Sequence, residues 1–281
     1  MTLDDRSRPD LLTAIVAATK TAVQDRADAK PLRELEKARG QRMSDGRRFV
    51  SELRRKDRYN VIAECKRRSP SKGVLSQTYN PSDIAFSYAN AGAVAISVLT
   101  EPAFFDGSLE HLEAVRRAVE LPVLRKDFIV TDYQLLEACV AGADAVLLIA
   151  AILEAAELRH LMRQAKSYGL AVLTEVHDAE ELSRSLESGA DVVGVNNRDL
   201  RTFEVDLEAS EVLMQQIPKD VTAVAESGLN NATDLIRLRR AGYHAFLIGG
   251  AFMRRPVPGE ALANLLRDVH QAVTGSGDGA G

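Results

Sequence analysis

Residues 123–149, VLRKDFIVTDYQLLEACVAGADAVLLI, contain one complete strand–helix–strand unit. The apolar runs at its two ends, residues 123–126 and 145–149, are short and rich in branched aliphatic residues, which is typical of buried strands. Between them lies a helical pattern that ends at Gly142, where a glycine adopts a left-handed cap conformation without steric cost. This unit predicts two parallel strands joined by a helix.

The same unit recurs along the chain, outward from this stretch in both directions. The apolar runs occupy residues 61–66, 94–99, 123–126, 145–149, 171–175, 192–196, 222–226 and 245–249, and each precedes a helical pattern. Glycines at helix ends recur about every 50 residues, at positions 92, 142, 189 and 242. Eight parallel strands close into a barrel, so we predict an α/β fold with a single (β/α)8 TIM barrel.

The two ends of the chain differ from this pattern. Residues 1–58 predict an N-terminal helical extension packed on the barrel, residues 59–272 the barrel itself, and the Gly/Ser-rich residues 273–281 a disordered tail. Six basic and two acidic residues lie between Arg47 and Arg58. This basic stretch is either a solvated helix face or a basic lid near an anionic substrate.

Composition and charge narrow the class of protein. The chain has 281 residues, 46% of them hydrophobic and 27% charged, which is typical of globular proteins. Its net charge of −4 argues against broad nucleic-acid binding, and its apolar runs are too short to span a membrane. Cys65 and Cys139 follow no metal-binding spacing, so we expect reduced thiols rather than a disulfide, and a cytoplasmic location.

Polar side chains stand at the carboxyl ends of five predicted strands, where barrel enzymes carry their catalytic groups. The residues are Glu64 and Lys66 on the first strand, then Lys126, Glu175, Asn196 and Glu226. Strand alternation puts Glu64 and Lys66 on one face and Cys65 on the other, and it turns Arg125 toward the helices, where we expect a carboxylate partner or exposure. A ring of salt bridges at the rim is the alternative, but buried charge is costly, so we predict a catalytic mouth.

Glycines follow the last two predicted strands, at Ser227-Gly228 and Gly249-Gly250. Barrels often bind phosphate with the loops after strands seven and eight, so these residues predict a phosphate site, with two ordinary tight turns as the alternative. We expect no metal and no cofactor, since neither ligand spacing nor a dinucleotide fingerprint is found. Of the five histidines, only His177 lies close to a predicted site residue.

Five segments resemble the indole-3-glycerol phosphate synthase family. They are residues 64–71 (ECKRRSPS), 97–101 (SVLTE), 126–130 (KDFIV), 196–200 (NNRDL) and 226–228 (ESG), and the resemblance covers about residues 50–270. It implies a carbon–carbon lyase of tryptophan biosynthesis. Such an enzyme cyclises the small anionic substrate 1-(2-carboxyphenylamino)-1-deoxyribulose 5-phosphate to indole-3-glycerol phosphate, with release of carbon dioxide and water.

The resemblance also implies a role for each site residue. Lys126 would be the general acid at the substrate carbonyl, and Glu175 would assist dehydration as the second acid–base group. Lys66 would hold the anionic groups, with Ser69 and Asn196 positioning the carboxylate and hydroxyls, and Glu64 and Glu226 would orient the lysines. Substrate-binding residues would be Phe105, Phe128, Leu147, Arg198 and Leu200, and phosphate-binding residues Ser227, Gly228, Gly249 and Gly250. Gly250 departs from the family, where relatives often carry a larger residue.

Other interpretations remain open at this point. A phosphoribosyl isomerase or a Schiff-base aldolase could use a similar barrel, and a sugar-phosphate sensor would bind without turnover. For Lys126 to be an effective acid, we expect burial or another cation to lower its pKa, and Lys66 is a candidate for that cation. We expect a monomer or weak homodimer, with no nucleic-acid or membrane partner.

Overall fold

Eight parallel strands form a closed barrel in the computed structural model, which describes residues 11–40, 43–198 and 204–275. The strands are β1 (Asn60–Cys65), β2 (Ala95–Leu99), β3 (Val123–Lys126), β4 (Ala145–Ile149), β5 (Ala171–Val176), β6 (Val192–Asn196), β7 (Thr222–Glu226) and β8 (Ala245–Ile248). Each strand pairs with its neighbours in sequence, and β8 closes on β1 through the register Asn60 with Ala245. The predicted TIM barrel is confirmed.

Helices cover the barrel and follow each strand. They are α1 (Leu11–Ala29), α2 (Leu32–Arg39), α3 (Gly46–Leu53), α4 (Pro81–Asn90), α5 (Pro102–Phe105), α6 (Leu109–Ala118), α7 (Asp132–Ala141), α8 (Ala155–Ser167), α9 (Ala179–Glu187), α10 (Leu207–Met214), α11 (Ala232–Ala241), α12 (Gly250–Met253) and α13 (Pro258–Gly275). A two-stranded hairpin, Arg68–Ser69 with Gly73–Val74, lies between β1 and α4. Within the described ranges, no helix is both long and apolar enough to cross a membrane.

Strand alternation sorts the core into two layers. On β5, Ala171 and Leu173 belong to the cluster that fills the barrel, whereas Val172 and Val176 pack under the helices. Cys65 belongs to the outer layer, as predicted, and Glu64 faces inward. Because the interior positions at the carboxyl ends are polar, the packed core stops below them and leaves an open mouth.

The recurring glycines end helices as the repeat predicted. Gly92, Gly142, Gly189 and Gly242 have φ angles of 99°, 99°, 94° and 124°. A side chain at such a backbone angle is strained, so glycine is the residue that ends these helices at least cost. The period near 50 residues therefore reflects the same type of helix end, which recurs at four places around the barrel.

Helices α1 and α3 lie at opposite ends of the barrel. Leu12 and Ile15 of α1 line the mouth, whereas Phe49 and Leu53 of α3 pack against the amino ends of the strands. Arg54, just after α3, donates to the carbonyl of Asp220, at the amino end of β7. The basic stretch at residues 47–58 thus lies opposite the mouth, and its interpretation as a lid is wrong. The apolar face of α3 fixes the position of this stretch, because Phe49 and Leu53 pack into the core at the amino ends of the strands.

The C-terminal helix runs beyond the boundary expected at residue 272. Helix α13 ends at Gly275, and its last turn holds Thr274, whose hydroxyl donates to the carbonyl of His270 at 2.8 Å. Residues 273–275, expected in a disordered tail, are therefore helical, because the glycine-rich composition begins only at Gly275. Residues 1–10 and 276–281 lie outside the described residues.

A buried charge network ties α1 to the strand that carries Lys126. Arg125, with 1% of its side chain exposed, donates to Asp127 at 2.9 Å and to Glu137 at 3.3 Å. The other carboxylate oxygen of Glu137 accepts from Arg26 of α1 at 2.6 Å. The prediction that Arg125 turns outward to a carboxylate is confirmed, and the network secures α1 to the end of β3.

Candidate active site

A cavity of about 390 Å³ opens at the carboxyl ends of the strands. The predicted site residues that line it are Glu64, Lys66, Ser69, Phe105, Lys126, Phe128, Leu147, Glu175, Asn196, Arg198, Glu226, Ser227, Gly228, Gly249 and Gly250. Leu200, also predicted, lies outside the described residues. The structure thus brings every described candidate to one cavity, because the carboxyl ends of all eight strands meet there.

Lys126 lies between two buried carboxylates. Its Nζ is 2.8 Å from Oε2 of Glu175 and 3.2 Å from Oε2 of Glu226. Burial by itself lowers the pKa of Lys126, but Glu175, Glu226 and Glu64 outweigh it, and the net pKa is raised. The expectation that Lys66 lowers the pKa of Lys126 is wrong, because the charge of Lys66 is balanced by its ion pair with Glu64.

The two carboxylates beside Lys126 have opposite pKa shifts. Burial raises the pKa of Glu175, but the charges of Lys126 and His177 lower it by more than burial raises it. Asn196 also donates a hydrogen bond to Oε1 of Glu175 at 3.1 Å, and the net pKa is lowered. Burial and the charge of Glu175 raise the pKa of Glu226 against the attraction of Lys126. Of these two carboxylates, Glu226 therefore takes up a proton more readily than Glu175.

Two glycines make the space for the buried carboxylates. A Cβ on Gly194, in the middle of β6, would lie 2.1 Å from Oε1 of Glu226. A Cβ on Gly249 would lie 2.2 Å from Oε1 of Glu64. Gly249, which was predicted to bind phosphate, must therefore also lack a side chain so that Glu64 has space. The signal for Gly194 was visible in the sequence as a lone glycine inside an apolar strand.

An apolar slot lies beside the charged groups. The rings of Phe105 and Phe128 are 6.1 Å apart between centroids, and Leu147 belongs to the same wall. Glu101 fixes Phe105 because its carboxylate accepts the backbone N–H groups of the first turn of α5 at 2.7–3.1 Å. The sequence analysis missed Ile15 of α1 as a further wall of the mouth, although its helical apolar spacing was a usable signal.

The phosphate side of the cavity holds a cation that the sequence analysis missed. Arg254 lines the cavity, and its Nη1 lies 3.4 Å from the position that a Cβ on Gly250 would take. Burial and the charge of Arg254 both lower the pKa of Arg198, so the two guanidinium groups are close enough to repel. Like charges beside a cavity favour an anion between them.

Gly228 takes a backbone conformation that few other residues tolerate. Its φ is +76°, and a Cβ there would lie 2.3 Å from Cγ1 of Val205. Ser227 before it also has a positive φ, of 64°. The turn after β7 is therefore shaped by Gly228 itself, and a substitution at this position would strain the turn whatever the cavity binds.

The chemical groups of the mouth are acids and bases. Among the described residues, no group of three or more His, Cys, Asp or Glu side chains could hold a metal ion. Cys65 and Cys139 are buried and are not joined in a disulfide, and burial raises the pKa of Cys65, which makes it a poor nucleophile at neutral pH. The arrangement can transfer protons between Lys126, the carboxylates and an anionic substrate held against an apolar slot.

Comparisons with known proteins agree with this geometry. The family model for indole-3-glycerol phosphate synthase matches residues 12–265. The indole-3-glycerol phosphate synthases of Albidiferax ferrireducens and Polaromonas naphthalenivorans are 47% and 46% identical over 259 residues, which cover 91% of this chain and 98% of each relative. A thiamine phosphate pyrophosphorylase from Pyrococcus furiosus shares only the fold, with a TM-score of 0.60 at 16% identity over 80% of this chain and 99% of that one. The chain therefore belongs to the indole-3-glycerol phosphate synthase family, carboxy-lyases of tryptophan biosynthesis.

Proposed function

We propose that the mouth performs the family's reaction with Lys126 as the general acid and Glu175 as the second acid–base group. The observation that carries this assignment is the position of the Lys126 Nζ, held between Glu175 and Glu226 inside the cavity. The apolar slot at Phe105 and Phe128 lies beside it and suits the anthranilate ring of the substrate. A cation beside the slot can stabilise the negative charge that ring closure develops on the carbonyl oxygen.

Ring closure begins with the substrate carbonyl near Lys126. The aromatic carbon that bears the carboxylate attacks the carbonyl carbon, and a proton passes from Lys126 to the oxygen. Its raised pKa keeps Lys126 protonated at neutral pH, and the alkoxide that forms is a far stronger base than the carboxylates, so transfer remains favourable. The positive charge also stabilises the developing alkoxide. Loss of carbon dioxide from the attacked carbon then restores the aromatic ring.

Dehydration completes the indole. The new hydroxyl must leave as water with an added proton, while a base removes a proton from the neighbouring carbon. Glu175 suits the base because its lowered pKa keeps it ionised, and Asn196 fixes its Oε1 at 3.1 Å. Glu175 then passes this proton to the deprotonated Lys126, 2.8 Å away, and Lys126 supplies it to the departing hydroxyl. A proton from solvent restores the Lys126 cation after each turnover. The pair therefore provides an acid and a base within one hydrogen bond of each other.

The remaining residues would bind the substrate from both ends. Lys66, paired with Glu64, would hold the carboxylate together with Ser69. At the other end the phosphate would lie among Ser227, Gly228, Gly249, Gly250, Arg198 and Arg254, where the glycines let backbone approach the oxygens. Leu147 and the two phenylalanines would cover the ring between these anionic groups. We also propose a monomer or weak homodimer in the cytoplasm, with no nucleic-acid or membrane partner.

A Schiff-base aldolase mechanism is disfavoured by the same electrostatics. A lysine attacks a carbonyl only as the neutral amine, and the carboxylates around Lys126 raise its pKa. Lys66 is occupied by its ion pair with Glu64. Borohydride added with substrate should therefore trap no covalent adduct, and a trapped adduct on either lysine would revive the aldolase interpretation.

Steady-state kinetics of Lys126→Ala test the general-acid assignment. We expect kcat to fall at least about 10³-fold, since the variant loses both the proton donor and the charge that stabilises the alkoxide. The chain has no tryptophan, so the indole product is followed by its fluorescence over a tyrosine background. Circular dichroism controls for folding. If the variant retains more than about a tenth of the wild-type kcat, the assignment is wrong and Lys66 becomes the candidate acid.

A further inference from the structure

His177 lies directly behind Glu175, on the side away from Lys126. It follows the end of β5, and 17% of its side chain is exposed. Its Nδ1 is 3.1 Å from Oε2 of Glu181 on α9, an oxygen that also accepts the backbone N–H of His177 at 2.8 Å. Its Nε2 is 3.6 Å from Oε1 of Glu175. Carboxylates and basic groups therefore alternate from Glu181 through His177 and Glu175 to Lys126.

The position of Glu181 decides which ring nitrogen of His177 faces Glu175. Because Glu181 accepts at Nδ1, that nitrogen carries a proton, and Nε2 is left pointing at the second carboxylate. Nε2 is buried and has no hydrogen-bond partner within the described ranges. A neutral ring would turn its lone pair toward Glu175, which repels, whereas a protonated ring turns an N–H group toward it. At 3.6 Å the contact is a charge attraction rather than a hydrogen bond.

The surroundings of His177 favour the protonated ring. Burial lowers the pKa of His177, but the hydrogen bond to Glu181 and the charges of Glu175, Glu181 and Glu226 outweigh it, and the net pKa is raised. These three carboxylates come from β5, α9 and β7, so the ring faces negative charge from each of these elements.

Glu175 has two cations, and only one of them also serves the substrate. Its Oε2 contacts Lys126, while its Oε1 faces Asn196 and His177. When Lys126 turns its N–H groups to the substrate carbonyl, Glu175 loses its closest counter-charge. A buried carboxylate without a cation tends to take up a proton, and it is then no longer a base. His177 takes no part in this proton transfer and remains beside Oε1 of Glu175.

We propose that His177 is a positioning residue that keeps Glu175 ionised and aimed at the substrate while Lys126 is engaged in proton transfer. This inference rests on the acid–base role proposed for Glu175. Glu181 supports this role, because its hydrogen bond to Nδ1 fixes the orientation of the His177 ring and the nitrogen that carries the proton.

The first test measures the coupling directly, without activity. The chain has five histidines, so each ring can be titrated by NMR in the purified protein. Coupling is reciprocal: if His177 stabilises the Glu175 carboxylate, then Glu175→Gln must lower the pKa of His177. We expect a fall of at least about 0.5 pH unit, as for loss of one nearby opposite charge. His160, paired with Asp132 at 2.8 Å, is the matched internal control and should not move.

The second test measures function with a pair of variants that differ in charge. We expect His177→Gln to lower kcat about tenfold with KM changed less than about twofold, since the lost charge acts on the chemical step. His177→Lys, which keeps a permanent cation, should recover most of kcat. Wild-type kcat should also fall as pH rises through the pKa of His177, and His177→Lys should lose that fall. His160→Gln is the control for losing a surface histidine–carboxylate pair.

The outcomes separate this inference from the proposed function. If Glu175→Gln keeps the wild-type kcat, the proposed role of Glu175 fails. If Glu175→Gln is inactive but leaves the pKa of His177 unchanged, or if His177→Gln keeps the wild-type kcat, only the role of His177 fails. A fall of kcat that His177→Lys does not reverse, in protein that circular dichroism shows to be folded, also overturns the proposal, since shape rather than charge would then be the cause.

Discussion

The Nζ of Lys126 lies 2.8 Å from Oε2 of Glu175, so the proposed acid and the proposed base are each other's hydrogen-bond partner. Their side chains come from β3 and β5, two strands apart in the barrel. The contact raises the pKa of Lys126 and lowers that of Glu175, against the effect of burial on each. Each group therefore holds the other in the protonation state that its proposed step requires.

The stability of the folded protein should depend on pH through Glu226, and the substitution Glu226→Gln should remove this dependence. Burial raises the pKa of Glu226 from 4.5 to about 7. Because the folded state holds this proton more tightly, its stabilising effect is full below the unfolded pKa and is lost as pH rises through about 7. In thermal unfolding, the Tm advantage of Glu226→Gln over wild type should therefore grow from about pH 5 to about pH 8. An advantage that stays constant would contradict the raised pKa; Glu113→Gln, on an exposed helix face, is the control.

Lys66 should act mainly in binding. It pairs with Glu64 at the rim of the cavity and would meet the substrate carboxylate in ground and transition states alike. We expect Lys66→Ala to raise KM at least about tenfold while kcat changes less than about threefold. Lys56→Ala, in the basic stretch at the barrel floor, should leave both constants unchanged. A loss confined to kcat would instead make Lys66 part of the proton transfer.

Gly194→Ala should displace Glu226 without unfolding the barrel. The new Cβ would lie 2.1 Å from Oε1 of Glu226, and that flexible carboxylate can move. Since Glu226 contacts Lys126 at 3.2 Å, its displacement should lower kcat by about tenfold or more. Gly275→Ala is the control, because a Cβ there would meet no atom within 4 Å. Wild-type kcat in Gly194→Ala would show that the position of Glu226 does not matter.

Glu137→Ala should be strongly destabilising. The variant leaves Arg125, 1% exposed, with part of its charge uncompensated, and it frees Arg26 of α1. Removing one partner of a buried pair costs about 3 kcal/mol or more, whereas an exposed helix pair contributes less than about 1 kcal/mol. Urea unfolding of Glu137→Ala and of Glu113→Ala, whose partner Arg117 is exposed, measures both. Equal losses in the two variants would refute the buried network as a source of stability.

Arg254→Ala should weaken phosphate binding. Charge-assisted hydrogen bonds contribute about 1.5–3 kcal/mol, so KM should rise at least about tenfold, and inhibition by inorganic phosphate should weaken in parallel. Arg254 is a cleaner probe than Gly228, whose φ of +76° makes any substitution there strained. Arg55→Ala, an exposed arginine at the barrel floor paired with Asp57, is the control. An unchanged KM would place the phosphate elsewhere in the mouth.

The barrel and the polar strand-end residues of its mouth could be predicted from the sequence because both depend on local patterns, whereas the loop residues of the mouth followed from the family resemblance. Short apolar runs, helical segments and glycine caps are each set by neighbouring residues, and alternation along one strand decides which side chains face inward. That is why Cys65 and Arg125 turned outward as predicted, and why Glu64 and Lys126 turned toward the cavity.

What only the tertiary structure decided are contacts between elements far apart in the chain. Helix α1 covers the mouth and α3 the floor, which the basic composition of residues 47–58 could not reveal. The three carboxylates around Lys126 come from three other strands, and His177 gains its place behind Glu175 through Glu181 on α9. Electrostatic energies depend on distances of a few ångströms, and these arise only when the strands close into a ring. Sequence periodicity therefore determined which strand residues face the mouth, and the closed barrel determined how strongly each of these groups holds its proton.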